Sequence, residues 1–118
     1  MPAVIRHGTS NKTVFAAIRI MEQNRFDPLS VRELASQIGT SQRQLERLFR
    51  TEFQKTPATV YTELRLDEAR QEVLAGHRSL FDIALDYGYQ AGNFARAYVR
   101  VFGVLPSEDR KKSTIDLS

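Results

Sequence analysis

The chain has 118 residues, of which 42% are hydrophobic and 26% charged, so it has the size and composition of one globular domain. Its net charge of +3 permits an anionic partner without requiring one. The absence of cysteine excludes disulfide frameworks, thiolate zinc sites and cysteine nucleophiles, and it fits a reducing compartment, with the cytoplasm as the default. We find no apolar run long enough to span a membrane and no secretory signal.

The apolar pattern predicts an all-α fold of about seven helices. Apolar residues recur at spacings of three and four and do not alternate with polar residues over strand-length stretches. The first predicted helix runs from Lys12 to Asn24, after a leader or interdomain linker over residues 1–11. Its apolar face is predicted to carry Val14, Phe15, Ile18 and Met21.

The next two helices are predicted to form a helix-turn-helix over residues 30–53. Ser30 and Glu33 have the spacing of a capping box, and Gly39 supplies the left-handed residue that ends the helix. Ser41 then caps a second helix almost at once. The buried side of that helix is predicted to consist of Leu45, Leu48, Phe49 and Phe53.

A similar pattern follows in the second half of the chain. Thr56-Pro57 begins a long linking helix over residues 57–75, and a second helix-turn-helix is predicted over residues 79–102. Pro106 is predicted to start a short last helix that dissolves at Lys111 and Lys112, before a polar tail over residues 113–118. The buried side of the second unit is predicted to consist of Ile83, Ala84, Tyr87, Phe94, Ala97, Tyr98 and Phe102.

The two predicted helix-turn-helix units are an internal repeat at an offset of 49 residues. Without a gap, this offset pairs Gly39 with Gly88 and Pro57 with Pro106, and it also aligns the caps and core positions. Any two amphipathic helix pairs align loosely, but here the glycine and proline breaks coincide as well. We therefore interpret the chain as one supersecondary unit used twice.

Positive charge is concentrated on the second helix of each unit and just beyond it. Residues 41–55 contain four cations and two carboxylates, net +2, and residues 90–112 contain five cations and two carboxylates, net +3. Residues 56–89, between them, contain three arginines and six carboxylates, net −3. A helix-turn-helix meets phosphates and base edges through its second helix, so this distribution favours a DNA-binding function.

The second helix of the first unit is predicted to expose an arginine face. Arg43, Arg47, Arg50 and Gln54 fall within about 60° of one another, opposite the apolar positions. Arginine reads guanine bidentately in the major groove, and in the same groove Gln44 can pair with adenine and Glu46 can accept from cytosine. The alternative is a solvated face with intrahelical pairs such as Glu46 to Arg50.

The corresponding face of the second unit is less charged. It is formed by Asn93, Arg96, Val99 and Arg100, with Ala95 at its edge, and it suits adenine and thymine-methyl contacts. An exposed Val99 is also compatible with an ordinary scattered surface apolar residue. With a linking helix of roughly 27 Å, helices 42–53 and 92–102 are predicted to enter successive major grooves, about 34 Å apart. A mismatch in spacing would require the DNA to bend.

These stretches resemble the C-terminal DNA-binding domain of the AraC/XylS family of bacterial transcription regulators. The resemblance covers about residues 29–110 and is carried by SVRELASQIGTSQRQLERLFR, TPATVYTELRLDEAR and IALDYGYQAGNFARAYVRVFGVLPSEDR. It implies a seven-helix domain that binds an asymmetric promoter-proximal site, most often to activate transcription by contacting RNA polymerase. It places base-reading roles on Arg43, Gln44, Glu46 and Arg47 in the first unit and on Asn93, Ala95 and Arg96 in the second.

The sequence departs from the family pattern at one point. Family members usually have one more residue than this chain between Gly88 and Phe94, which predicts that the first turn of the second reading helix is displaced or frayed. The first unit looks most like the branch in which this domain follows a glutamine-amidotransferase-like sensor. A fragment of such a regulator, with its effector sensed elsewhere, and a complete small regulator are the two alternatives.

An enzyme and a protein-interaction module are the competing functional classes. The two histidines, His7 and His77, lie in the polar leader and after a helix end, and no HExxH, phosphate-binding loop or metal-ligand spacing is present. We therefore expect no catalytic site, metal or cofactor. A module that keeps the fold without DNA affinity is favoured by the short second turn and opposed by the arginine face.

Overall fold

All regular secondary structure in the described part of the chain is α-helical. The computed structural model describes residues 11–90 and 92–117, with side chains up to Ser113 in the last helix, and these ranges contain seven helices and no strand. The predicted all-α class is confirmed. The helices are α1 Lys12–Gln23, α2 Val31–Ile38, α3 Gln42–Phe53, α4 Pro57–Ala75, α5 Leu80–Asp86, α6 Asn93–Phe102 and α7 Pro106–Leu117. Most of the predicted leader, including His7, lies outside the described residues, as do Ala91 and Ser118.

Serine caps and a glycine turn define the first helix-turn-helix. The Ser30 hydroxyl accepts from the Glu33 N–H at 3.1 Å, and the Glu33 carboxylate accepts from the Ser30 N–H at 3.2 Å, which is the predicted capping box. Gly39 ends α2 at a φ of 84°, a left-handed conformation without steric cost for glycine. The Ser41 hydroxyl then accepts from the Gln44 N–H at 3.0 Å and starts α3.

The chain divides into two compact units, unit 1 up to Arg65 and unit 2 from Leu66 onward, so that α4 contributes residues to both. In unit 1, α1, α2, α3 and the first part of α4 enclose a continuous apolar core. Its members with no solvent exposure are Val14, Ala17, Met21, Leu34, Leu45, Phe49 and Val60. The Tyr61 hydroxyl closes the loop after α1, since it donates to the Asn24 carbonyl at 2.8 Å and accepts from the Leu29 N–H at 3.1 Å.

Unit 2 has its own core, in which aromatic rings from α6 are prominent. The ring of Tyr98 meets those of Phe94 and Phe102 edge-on, at centroid distances of 5.6 and 4.7 Å. The hydroxyl of Ser79, which the offset of 49 pairs with Ser30, caps α5 by accepting from the Asp82 N–H at 3.0 Å. The buried members are Leu66, Ala69, Val73, Ile83, Ala84, Tyr87, Phe94 and Tyr98.

Two expectations about the helices are wrong. Phe15 was expected on the apolar face of α1, but its side chain is 53% exposed because the core takes the face formed by Val14, Ala17 and Met21. The guanidinium of Arg19 lies 6.0 Å from the Phe15 ring centroid, so the ring is partly covered.

The last helix also does not dissolve at Lys111 and Lys112 but continues to Leu117. No glycine or proline interrupts residues 107–117, so nothing in the sequence ends the helix earlier. Arg110 also joins α7 to the rest of unit 2, because its Nε donates to the Val73 carbonyl at 2.9 Å and its Nη2 to the Arg78 carbonyl at 2.7 Å.

Candidate nucleic-acid interface

Helix α3 exposes the arginine face that its sequence predicts. Arg43, Arg47 and Arg50 are all exposed, whereas Leu45 and Phe49 on the opposite side have no solvent exposure. The core contacts of the buried side fix the rotation of α3, so the three guanidinium groups share one solvent-facing surface. Three cations on one exposed face match the requirements of phosphate and base-edge recognition.

The polar residues beside these arginines also lie at this surface. Arg47 Nε donates to Gln44 Oε1 at 3.0 Å, a bond between side chains three residues apart on the helix. Gln44 and Glu46 are both half-buried, so they lie at the edges of the exposed face rather than at its centre. Because this bond uses only Nε, the two terminal guanidinium nitrogens of Arg47 can still donate hydrogen bonds to a bound nucleic acid.

The structure removes Gln54 from the predicted arginine face. Gln54 lies past the end of α3 in a left-handed conformation with a φ of 58°, where its backbone N–H donates to the Arg50 carbonyl at 2.9 Å. Its side-chain amide donates to the Thr51 carbonyl at 3.2 Å. The residue therefore caps the helix, a role that an ideal helical projection cannot show.

Helix α6 presents a smaller polar face. Asn93, Arg96 and Arg100 are exposed, and Ala95 is half-buried at the edge, as the sequence predicts. Arg96 Nη2 donates to Asn93 Oδ1, a bond across three residues like that of Arg47 and Gln44, but made through a terminal guanidinium nitrogen rather than through Nε. Val99, on the same face, is 39% exposed.

The start of α6 differs from that of α3. Its N-cap is Gly92, with a φ of 82° and no side-chain hydrogen bond to the helix. The helix nevertheless begins at Asn93, and the Arg96 N–H donates to the Gly92 carbonyl at 3.2 Å. The first turn is thus formed and not frayed, but its N–H groups lack the polar cap that Ser41 gives to α3.

Comparison with known proteins identifies the architecture. A family model described as a helix-turn-helix domain matches residues 34–112, which is more than half of the chain. A solved transcriptional regulator from Chromobacterium violaceum, described by its AraC-type DNA-binding domain, is 36% identical with a TM-score of 0.81, over 86% of this chain and 91% of that one. The regulatory protein SoxS from Escherichia coli is 31% identical over 86% of this chain and 95% of SoxS.

The chain belongs to the AraC family. It is a DNA-binding regulator domain and not an enzyme. Another relative, the HTH-type transcriptional regulator ArgR from Pseudomonas aeruginosa, is 38% identical over 95% of this chain but only 34% of ArgR. The chain spans about a third of the length of the first curated relatives that it matches.

Other kinds of site are not evident in the described part of this AraC-type domain. Residues 11–90 and 92–117 contain no cluster of histidines and carboxylates that could hold a metal ion. No helix within these ranges has the length and hydrophobicity needed to cross a bilayer.

Sequence reasoning missed a buried polar group in unit 2. Asp109 is 6% exposed, and its Oδ2 accepts from Arg70 Nε at 2.8 Å and from the Tyr98 hydroxyl at 2.6 Å. We call these three residues the triad; its carboxylate and tyrosine are buried, whereas the Arg70 side chain is 32% exposed. In the sequence, Asp109 and Arg70 appear only as contributions to net charge. The repeat contains the missing signal, because the offset of 49 pairs the triad with apolar residues of unit 1.

The triad shifts the protonation equilibria of its members. Burial, and then the hydrogen bond and negative charge of Asp109, raise the pKa of the Tyr98 hydroxyl. Burial alone would raise the pKa of Asp109, but the hydrogen bonds from Arg70 and Tyr98 outweigh burial and lower it. The hydrogen bond to Asp109 also raises the pKa of the Arg70 guanidinium. Near neutral pH the triad is therefore an ion pair with a neutral tyrosine as second donor.

Proposed function

We propose that this AraC-type domain regulates transcription by reading a specific double-stranded DNA site with α3 and α6, each in a major groove. The observation that carries the proposal is the exposed face of α3 with Arg43, Arg47 and Arg50. A major groove of about 12 Å admits one helix, and the second helix of a helix-turn-helix is the element that enters it. The family to which the chain belongs supports the same reading.

On α3, the proposed roles follow from side-chain chemistry and position. Arg43 and Arg47 would each donate two hydrogen bonds to guanine, whose O6 and N7 match the guanidinium fork. Gln44 is assigned to adenine and Glu46 to the amino group of cytosine. Arg50 lies in the last turn of α3 and is assigned to phosphate, which fixes register without reading sequence.

On α6, the proposed contacts are fewer and less charged. Asn93 is assigned to adenine, Ala95 to a thymine methyl group and Arg96 to guanine. Arg100, in the last turn of α6, is assigned to phosphate. Because Arg96 and Asn93 are already hydrogen-bonded to each other, we expect them to read adjacent base pairs as a pair.

We further propose that α3 and α6 enter successive major grooves of one duplex. Support comes from the presence in each unit of one such helix with exposed arginines. Successive major grooves on one side of B-DNA are about 34 Å apart. Sequences that bend easily are expected to be preferred if the spacing requires bending.

The regulatory context is also a proposal. We propose that the domain acts in the cytoplasm as an activator that contacts RNA polymerase, and that its effector is sensed outside these 118 residues, by a glutamine-amidotransferase-like domain. Unit 2 has a cavity of about 260 Å³ with an apolar lining that includes Leu80, Phe94 and Leu105. Small-molecule sites usually occupy about 300–1,000 Å³ and contain convergent polar groups, so this cavity does not favour an effector site.

Selection of bound duplexes from a random pool tests the proposal directly. We expect an enriched site with two blocks of preferred bases about one helical turn apart, one block for α3 and one for α6. A single enriched block would contradict reading by both units. Failure to enrich any sequence at low salt would contradict DNA reading altogether and favour a helical protein-interaction module.

A further inference from the structure

The triad occupies positions that an offset of 49 pairs with apolar residues of unit 1. The offset of 49 pairs Arg70 with Met21, Tyr98 with Phe49, and Asp109 with Val60. The three unit 1 residues have no solvent exposure and belong to one core. At the positions that this offset pairs, unit 1 therefore has buried apolar side chains, whereas unit 2 has an ion pair with a tyrosine.

A contribution to folding stability alone does not explain why unit 2 has the triad where unit 1 has apolar residues. Desolvation of Asp109 and the 32% solvent exposure of the Arg70 side chain both reduce the net stabilisation from their attraction. Well-packed apolar replacements of buried ion pairs are often neutral or stabilising. Unit 1 shows that this architecture accommodates the apolar set. An ion pair with fixed hydrogen-bond directions differs from an apolar cluster in geometry, since it defines one arrangement of the groups it joins.

The triad joins α6 to the two helices α4 and α7. Arg70 belongs to α4, Tyr98 to α6 and Asp109 to α7, and both donors converge on Asp109 Oδ2, at 2.8 and 2.6 Å. The Arg70 guanidinium also lies 5.0 Å from the ring centroid of Phe102, one turn further along α6. Two successive turns of α6 are thus attached to the same arginine, one directly and one through Asp109.

The attachment point lies opposite the proposed DNA-reading face. At about 100° per residue, Tyr98 is roughly 170° around the helix from the mean direction of Asn93, Arg96 and Arg100. A rotation of α6 by about 20° would move an arginine tip roughly 8 Å from the axis by about 3 Å, which is a full hydrogen-bond length. A contact that fixes Tyr98 therefore limits the rotation of α6, and with it the positions at which Asn93, Arg96 and Arg100 meet the DNA.

Helix α6 is shorter than α3 and lacks its N-terminal side-chain cap. It has 10 residues rather than 12, and Gly92 gives its first turn no side-chain cap, whereas Ser41 caps α3. A short helix with an uncapped N-terminus depends more strongly on tertiary contacts for its position. The triad is therefore present in the unit whose reading helix is the shorter one and has no side-chain cap.

We propose that Arg70, Tyr98 and Asp109 are positioning residues that hold α6 at one rotation about its axis and thereby set its base discrimination. The inference rests on the proposed function, since it concerns how α6 reads DNA. None of the three side chains belongs to the exposed reading face. They act through α6 and not by contact with DNA.

The experiment compares variants on the duplex selected by the wild-type protein. Tyr98→Phe removes one hydroxyl and keeps the ring. The triple variant Arg70→Met/Tyr98→Phe/Asp109→Val installs the residues of unit 1. Arg78→Gln is the matched control, because it removes an exposed arginine of the same unit that pairs with Glu72 and Asp86. Binding is measured against duplexes with single base-pair changes in each block, and the α6 block is the one in which Arg96→Ala abolishes discrimination.

We expect Tyr98→Phe and the triple variant to lose about five- to tenfold of discrimination in the α6 block, comparable to a weakened bidentate contact, while the α3 block stays within about twofold. Arg78→Gln is expected to change neither block. Unchanged discrimination in folded variants, or an equal loss in both blocks, would overturn the proposal. If the triple variant does not fold, Tyr98→Phe decides alone.

Amide hydrogen exchange separates this inference from the proposed function. Failure of the wild-type protein to select any duplex would refute DNA reading, but exchange along α6 still tests the restraint without DNA. Faster exchange in Tyr98→Phe that is confined to α6, with α3 unchanged, supports the restraint. Exchange rates in α6 equal to those of the wild type would overturn it.

Discussion

Arg47 is the side chain on which base reading by α3 depends most directly. It is exposed, and the hydrogen bond from its Nε to Gln44 Oε1 orients the guanidinium on the arginine face. We expect Arg47→Ala to weaken binding to the selected duplex by about 1–3 kcal/mol and to relax the preference at one base pair, because a bidentate contact would be lost. Fluorescence anisotropy titrations against single-substitution duplexes measure both effects.

Arg19→Ala is the control for charge alone. Arg19 is also an exposed arginine of unit 1, but it lies on α1 beside Phe15. Its removal is expected to lower affinity slightly and equally for all sequences. Equal losses in the two variants, or an Arg47→Ala protein that binds as tightly as the wild type, would refute the base-reading role.

Asp109 links protonation to the stability of unit 2. Its folded-state pKa is below the usual value of 3.8, so its ionised form contributes stability that is fully present above that value and is lost as the pH falls through the folded-state pKa. We therefore expect the wild type to exceed Asp109→Asn in free energy of unfolding near pH 7. The difference is expected to narrow once the pH falls below about 4.

Urea unfolding of the two proteins at a series of pH values tests this expectation. Comparing them at each pH cancels the titration of the other carboxylates. Asp82→Asn, which changes an exposed aspartate of the same unit, is the control and is expected to show no comparable narrowing. A gap between wild type and Asp109→Asn that stays constant down to about pH 2 would contradict the ionised triad.

The boundaries of the helices follow largely from local rules, which is why sequence predicts them. Ser30, Gly39 and Ser41 act within three or four residues of their own positions, and the structure places the caps and the turn accordingly. The exposed arginines of α3 were predictable for a related reason, since a helical projection requires only that the opposite face be buried.

Other features depend on contacts that no local pattern contains. Phe15 is exposed because the core takes the neighbouring face of α1, and Gln54 leaves the arginine face because α3 ends one residue earlier. The triad joins Arg70 and Asp109 across 39 positions in the sequence. Such pairings require the packed fold, although an alignment of the two repeats marks the positions at which polar residues replace apolar ones.

The N-terminal cap of α3 contributes to the stability of the whole helix. The Ser41 hydroxyl accepts a hydrogen bond from the Gln44 N–H at the N-terminus of α3, the helix proposed to enter the major groove. We expect Ser41→Ala to lower the free energy of unfolding by about 1 kcal/mol, the usual effect of losing a serine cap. Ser36→Ala, within α2, is the control and is expected to be nearly neutral. Equal unfolding curves for the two variants would show that the cap contributes nothing.

Charge distribution matters more than total charge for the molecule as a whole. The net charge of +3 is small, but the regions of α3 and α6 are positive while the intervening residues 56–89 carry a net −3. Part of the acidic charge is paired internally, since Glu63 binds Lys55 at 2.9 Å and Glu72 binds Arg78 at 3.2 Å. We therefore expect the cations proposed to face DNA, and not the net charge of the chain, to determine the salt dependence of binding.

Salt dependence tests this distribution. The logarithm of the association constant is expected to fall linearly with the logarithm of salt concentration, with a slope of about −0.9 for each phosphate neutralised. Arg100→Ala is expected to make the slope shallower by about one and to weaken all sequences alike. Arg78→Gln removes the same charge from an arginine paired with Glu72 and Asp86, so its slope is expected to match the wild type. Equal slopes for all three proteins would mean that Arg100 contacts no phosphate, whereas equal reductions in both variants would mean that total charge, not position, governs binding.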